Sequence, residues 1–454
     1  MTTFLYSALA FVVAIGVLVI VHEFGHYWVA RRLGIKVLRF SVGFGKPLWS
    51  RRFGADQTEL VVAALPLGGY VKMLDETEGA VPPGDLHRAF NRQPLVKRGA
   101  VVLAGPAFNF LFAVAAYWAL FSVGISGIKP IVGKVVKGSI AQKAGFQVGD
   151  DILSIDGRPT LSWDQQRLYL FAKALDKSRV RFRVRDPQGR IETRILDLSS
   201  LSANRISSGM LETATGLFGY SPRVAPVIGT VISGSPAAKA GLEPGDRMVS
   251  INGKPIRSWD DVVSTIRASA ERRIRLTVER AGARISFSLT PETVVSGGQR
   301  IGRIGVGVKP PQVPADMRVL VRLNPWSALR QSAEDTWLMS SITVKMLVKM
   351  LELKVSTRTI SGPITIARYA GYTARIGFGR FLMFLAVISI SLGVLNLLPV
   401  PVLDGGHLLV YVIEAIKGGP LPERALYWGQ QVGVILLAAL MALAFYNDFV
   451  RLLQ

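Results

Sequence analysis

Long apolar runs, broken by polar and glycine-rich stretches, set the organisation of this chain. Residues 4–21, 99–123, 381–398 and 432–445 carry no charged side chain. A helix that crosses a bilayer needs about 20 mostly apolar residues. The first three runs reach that length with their flanks. The fourth reaches it once Tyr427, Trp428 and Tyr446 are counted, aromatic residues of the kind that gather at a membrane interface. The pattern predicts four transmembrane helices, at residues 1–30, 99–124, 380–404 and 427–449. A cleaved signal peptide is the alternative for the first run. However, Met-Thr-Thr supplies no positive charge ahead of it, no small-residue cleavage site follows, and the run continues into HEFGH, Arg31 and Arg32. The reading is a retained span.

Between the second and third runs the pattern changes to short alternating segments, and it repeats. GSIAQKAGFQVGDDILSIDGRPTLSWD at residues 138–164 matches GSPAAKAGLEPGDRMVSINGKPIRSWD at 234–260, at a constant offset of 96 and without a gap. Each copy reads as a small-residue helix, a Gly-Asp turn, an apolar strand and a hairpin. The hairpin turns are Asp156-Gly157 and Asn252-Gly253, the strongest short signal for that turn. These residues resemble a tandem of bacterial PDZ domains, expected at 125–220 and 221–312. The resemblance implies peptide binding, size gating or plain spacing of the membrane parts.

Two further stretches bear on the architecture. TELVVAALPLGGYVKM, residues 58–73, predicts a β-hairpin over about 56–74 that turns at Pro-Leu-Gly-Gly. In the region 313–379, DTWLMSSITVKMLVKMLEL (335–353) reads as an amphipathic helix on the membrane surface or packed on protein, and SGPITIAR (361–368) as a turn at Pro363.

Charge sets orientation rather than a nucleic-acid partner. The net charge is +23, yet no basic stripe is interleaved with stacking aromatics, and no zinc-finger or helix-turn-helix spacing occurs. Lys and Arg crowd residues 31–98, while nothing before Phe4 is charged. The positive-inside tendency makes 31–98 and 402–430 cytoplasmic, and both termini and the repeats extracytoplasmic. With no cysteine, disulfides and thiolate metal sites are excluded.

The candidate chemistry begins at HEFGH. Histidines at i and i+4 lie on one helix face, so His22 and His26 can share a tetrahedral metal, with Glu23 placed to activate water. A polar helix end with interfacial His and Glu is the alternative. Ionisable residues inside a span are costly and usually functional. A third ligand is needed. His87 sits in a Pro- and Gly-rich loop, a poor place for a rigid ligand. SLGVLNLLPVPVLDGGH, residues 391–407, is better: Asn396, Pro399, Pro401, Asp404 and Gly405-Gly406 interrupt an apolar helix, and unwound backbone at that depth must be buried or line a wet cavity. In the four-span topology the first and third spans run the same way, so Asp404 reaches the depth of His22 and His26.

HEFGH, NLLPVPVLDGG, the PDZ-like tandem, GPAFN (105–109) and PLGGYVKM (66–73) together resemble the site-2 protease family of intramembrane zinc metalloproteases, and within it the bacterial regulator-of-sigma-E type. The resemblance covers essentially the whole chain. It implies a multi-pass α-helical membrane protein with a membrane-associated β-hairpin and two extracytoplasmic PDZ domains. It implies Zn2+ held by His22, His26 and Asp404, Glu23 as general base, and Asn396 aimed at the substrate or oxyanion. Asn109 faces the same cavity or makes an interhelical hydrogen bond, and the Gly68, Gly69, Tyr70, Val71 edge pairs with an unwound substrate. Ligand type alone leaves iron or cobalt open. The implied partners are the lipid bilayer and single-spanning membrane proteins, either trimmed anti-sigma factors or signal-peptide remnants. The implied location is the bacterial inner membrane, with periplasmic PDZ domains and the active site near the cytoplasmic face. A PDZ adaptor with a vestigial metal site is the competing class. A transporter is disfavoured by the lack of an inverted repeat.

Overall fold

The structure is a computed structural model and describes residues 2–453 apart from 78, 202–210, 222–223, 297–298 and 310–312. Helix α1 (Thr2–Arg32) runs unbroken through HEFGH. It exposes Phe4, Leu5, Leu9 and Val13, as a lipid-facing surface would. Helix α2 (Leu95–Val123) crosses α1 closely because glycine clears each contact. A Cβ at Gly25 would strike the Ala104 carbonyl, and one at Gly105 would strike the imidazole of His26. Lipid supplies no hydrophobic drive between helices, so such small-residue contacts let the backbones approach.

Between α1 and α2 lie two long, bent strands, β1 (Val37–Phe53) and β2 (Thr58–Met73). Ser41 lies opposite Tyr70 on one edge and Val61 on the other, and Val61 in turn lies opposite Ser50. The layer order is therefore 69–73, 37–42, 58–63, 47–53. This corrects the hairpin expected over about 56–74. Its two arms do not pair with each other, because the first half of β1 lies between them and takes both ladders. Gly43 and Gly45, at φ 96° and 85°, let β1 fold back over β2.

Two units of one topology follow β3 (Ile125–Ile128). In the first, β4 (Val132–Val135) pairs with β9 (Leu217–Gly219). Strands β5 (Asp151–Ile155), β6 (Arg158–Pro159), β7 (Arg179–Arg185) and β8 (Ile191–Asp197) form a sheet of order β6-β5-β7-β8 under helix α3 (Trp163–Leu175). In the second, β10 (Ile228–Val231) pairs with β15 (Val306–Val308). Strands β11 (Arg247–Ile251), β12 (Lys254–Pro255), β13 (Ile274–Arg280) and β14 (Ala283–Leu289) repeat the order β12-β11-β13-β14 with helix α4 (Trp259–Arg267). Asp156 and Asn252 have φ of 48° and 53°, and the following glycines 80° and 78°, as the expected two-residue turns require. Ser162 and Ser258 cap α3 and α4. Phe182, Leu196 and Ile152 are buried in the first unit, and Met248, Leu276 and Val278 in the second. The expected boundaries near 221 and 312 adjoin residues outside the described set.

Strand β16 (Arg318–Val321) pairs with β3 and returns the chain to the end of α2. Helix α5 (Pro325–Leu351) begins ten residues before the amphipathic segment expected at 335, with Asn324 as its cap. It packs on protein: Ser332 and Thr336 are buried, Ile342 enters the core of the first unit, and Lys345 pairs with Asp176 at 2.7 Å. Where the sequence suggests a turn at Pro363, helix α6 (Pro363–Ile376) starts. A proline in the first turn loses no intrahelical bond, so it opens this helix instead of ending one.

Helix α7 (Phe378–Asn396) ends eight residues short of the span expected at 380–404, and α8 (Asp404–Lys417) begins at Asp404. Pro399 and Pro401 cannot continue α7, and Val402 sits at φ 101° in the linker. Gly405 and Gly406 fit only because side chains there would strike the carbonyls of Leu397, Leu398 and Val400. The final helix is α9 (Glu423–Leu453). By length and composition α1, α2, α7 and α9 can each cross a membrane.

Candidate metal centre

The i, i+4 spacing on α1 brings the His22 and His26 Nε2 atoms to 3.3 Å of one another. Asp404, the first residue of α8, completes the group. Its Oδ2 lies 3.2 Å from His22 Nε2 and 3.6 Å from His26 Nε2. Among the described residues these three form a cluster with metal-ligand spacing, all ligand atoms falling within 4.8 Å. Two imidazoles and a carboxylate bring lone pairs to one point, and Asp404 Oδ2 is buried there without a hydrogen-bond partner. A tetrahedral ion with bonds near 2.0–2.1 Å places its ligand atoms about 3.4 Å apart. The observed separations match that figure, and the donor set suits a divalent ion such as zinc.

The surroundings orient these donors. His26 Nδ1 lies 2.8 Å from the Val101 carbonyl, to which it donates, so its Nε2 carries the lone pair. His22 Nδ1 lies 3.1 Å from the Asn109 amide. Asn109 is fully buried and its Oδ1 has no partner. Amide ends are interchangeable in outline. Turned about, Oδ1 accepts the Nδ1–H of His22, and Nε2 is free for a metal. Ser389 of α7 donates to the Asn109 carbonyl at 2.8 Å, which ties α2 to α7 at this level. Asn396, the last residue of α7, brings its amide to 3.3 Å from His22 Nε2.

Other contacts locate Asp404 and Glu23. Arg98 of α2 stacks over the Tyr411 ring at 4.4 Å and pairs with Glu414 at 3.8 Å, so α8 is held against the start of α2. Glu23 is buried on the turn between the histidines. Strand β2 passes beside it at Gly69, where an added Cβ would lie 3.0 Å from Glu23 Cγ. Gly68 faces the Phe44 ring, and Tyr70 stacks on Phe44 and accepts from Arg39 at 3.2 Å. Val71 packs in the cluster of Ala30, Ile35 and Val101. The fold thus gathers His22, Glu23, His26, Asn109, Asn396 and Asp404. Gly69 borders the group, and Tyr70 and Val71 serve the sheet itself. Sequence reasoning missed Arg98, Tyr411 and Glu414, whose only signal was a basic residue at a span's mouth.

The profile of Peptidase family M50 matches residues 10–440. The regulator of sigma-E protease RseP of Escherichia coli (strain K12) is 42% identical over 454 residues, covering all of both chains. Protease RseP of Yersinia pestis is 42% identical over 453 residues, again with full coverage of both. The regulator of sigma E protease of Salmonella typhi is 41% identical over 454 residues, with the same coverage. With HEFGH and Asp404 converging inside a bundle of membrane-length helices and the family profile spanning nearly all of the sequence, the chain belongs to Peptidase family M50.

Proposed function

We infer that this protein is an intramembrane zinc metalloprotease that hydrolyses peptide bonds within the membrane-spanning segments of single-pass proteins. The observation that carries this reading is the approach of Asp404 Oδ2 to the His22 and His26 Nε2 atoms beside Glu23. His22, His26 and Asp404 hold the ion, with the Val101 carbonyl and Asn109 orienting the two imidazoles. When bound, zinc supplies a Lewis acid for the scissile carbonyl and lowers the pKa of water at the site. Glu23 takes the proton of the attacking water and returns it to the leaving amine. Asn396 donates its amide N–H to the carbonyl oxygen as charge develops there.

A helical substrate keeps its carbonyls in backbone hydrogen bonds and must unwind before attack. The segment Gly68, Gly69, Tyr70, Val71 supports strand addition, because Gly69 lies against Glu23 and this arm pairs with β1 along one edge. The sheet would then dip into the membrane face. Charge placement supports an inner-membrane enzyme with the centre near the cytoplasmic side and both repeats, read as PDZ domains, outside. There they would exclude proteins with bulky outer domains. The names of the relatives point to the sigma-E pathway, and trimmed anti-sigma-like proteins or signal-peptide remnants fit such a site. Cleavage of a single-spanning reporter by purified protein, compared with Glu23→Gln, tests the reading. Equal turnover by the two would overturn it.

A further inference from the structure

Strand β7 reads RVRFRVR. Val180, Phe182 and Val184 are fully buried, so Arg179, Arg181, Arg183 and Arg185 all stand on the opposite, exposed face. Alternate residues on a strand are about 6.6 Å apart, so the row is roughly 20 Å long. Arg179 pairs with Asp197 at 3.0 Å and Arg185 with Asp151 at 3.6 Å. The side chains of Arg181 and Arg183 have no acidic partner among the described residues. Both border an open depression of 720 Å³ whose one carboxylate, Asp156, is already engaged. Asp156 accepts from the Arg181 N–H at 2.9 Å and the Tyr169 hydroxyl at 3.0 Å, and lies 3.7 Å from Lys173.

The second repeat is an internal control. Register aligns the two sheets: Arg183 lies opposite Ser154 as Thr277 lies opposite Ser250, and Arg185 opposite Asp151 as Glu279 lies opposite Arg247. The counterparts of Arg181, Arg183 and Arg185 are therefore Arg275, Thr277 and Glu279. The same fold is built there with a mixed, near-neutral row, so the arginine row is not a requirement of the sheet. Like charges side by side on a sheet face are unfavourable, and an anionic partner would offset them.

The neighbours on this face narrow the kind of anion. Across the ladder, Arg181 faces Ile195 and Arg185 faces Ile191, and these isoleucines are 53% and 52% exposed. The two arginines at the ends of the row already take carboxylates, Arg179 from Asp197 and Arg185 from Asp151, so a carboxylate is the acceptor that fits this face, and free phosphate makes no use of exposed isoleucine. A polypeptide can cover it while presenting carboxylates, and residues i and i+2 of an extended chain repeat at the arginine spacing. The guanidinium fork grips a carboxylate through two parallel hydrogen bonds.

We propose that the outer face of the first repeat's sheet, centred on Arg181, Arg183 and Ile195, is a docking surface for an acidic polypeptide segment that also carries apolar side chains. The proposal is independent of the metal-centre reading. Full-length protein in neutral detergent would be titrated into a labelled peptide of alternating Glu and Leu, with a Lys-Leu peptide, inorganic phosphate and anionic-lipid vesicles as comparison probes. The Glu-Leu peptide should bind and weaken steeply with salt. R181E/R183E should lower its affinity by about tenfold or more and should gain affinity for the Lys-Leu peptide. R181Q/R183T, with a threonine as in the second repeat, guards against misfolding and should also lose binding. Binding of the Glu-Leu peptide unchanged in R181Q/R183T would overturn the proposal. So would a face that takes phosphate or vesicles through these arginines but not the peptide.

Discussion

Asp448 of α9 caps Thr365 of α6. Its carboxylate accepts the Thr365 hydroxyl at 2.5 Å and N–H at 3.1 Å, together with the N–H groups of Ile364 at 2.8 Å and Gly362 at 3.0 Å. The first turn of a helix leaves backbone donors without intrahelical partners. Here the last membrane helix supplies the acceptor across 83 residues of chain. Gly362 makes room, since a Cβ there would press on the carboxylate. Asp448→Ala should therefore cost about 2–3 kcal/mol, because it strands several buried donors at once. Thr365→Val removes one of those bonds and should cost about 1 kcal/mol. Thermal unfolding in detergent, with limited proteolysis between α5 and α6, measures both.

As the proposed general base, Glu23 should serve catalysis and not metal holding. Glu23→Gln should keep the ion and the fold but lower cleavage of a single-spanning reporter by about 10²–10⁴-fold, the usual contribution of a positioned general base. Elemental analysis and a gel-based cleavage assay on one preparation check both halves.

Asp404 is the reciprocal case. Asp404→Ala should lose bound metal and activity together, because the two imidazoles alone leave the site a ligand short. A chelator should abolish activity in the wild type, and added Zn2+ should restore it. Added zinc should restore nothing in Asp404→Ala.

Asn109 should behave as an orienting residue. Asn109→Leu removes the acceptor for His22 Nδ1 and should weaken metal affinity by roughly 10–100-fold. Asn109→Asp, which retains an acceptor oxygen, should recover part of that loss. Competition with a fluorescent zinc chelator measures the affinity.

The matching buried carboxyls of the two repeats, Asp150 and Asp246, should respond oppositely to acid. Burial disfavours ionised Asp246, yet Arg280 at 2.7 Å and the Glu243 N–H outweigh it and hold the carboxyl below the usual range. At the matching position burial prevails, and Asp150 is raised despite the Gln147 N–H and Arg194 at 3.4 Å. A carboxyl depressed by folding stabilises above its unfolded pKa of about 3.9, and that stability is lost as pH falls through the folded value. A carboxyl raised by folding does the reverse: its contribution is present at low pH and fades as pH rises from the unfolded value to the folded one. Acidification from neutral pH should thus loosen the turn held by Asp246 and not the matching turn at Asp150. Hydrogen exchange followed by mass spectrometry would show it, and Asp246→Asn should remove the acid-induced loosening at 243–246 while leaving the response at Asp150.

What could be read along the chain was whatever depends on spacing between near neighbours. The period of apolar residues placed four membrane-length helices, the i, i+4 spacing put His22 and His26 on one helix face, and Asp-Gly and Asn-Gly turns marked two copies of one unit. Contacts between distant residues were less legible. Asp404 was expected at the end of α7 and instead opens α8, because two prolines and a glycine pair let a separate helix start within reach of α1. The arms at 58–63 and 69–73 looked like a hairpin, yet residues 37–42 lie between them. Asn109 beside His22, Arg98 against Glu414 and Asp448 over Thr365 join elements that sequence order keeps apart. Backbone propensity and hydrophobic period act over a few residues. Packing and hydrogen-bond satisfaction join residues hundreds of positions apart, and only the folded chain decides those pairings.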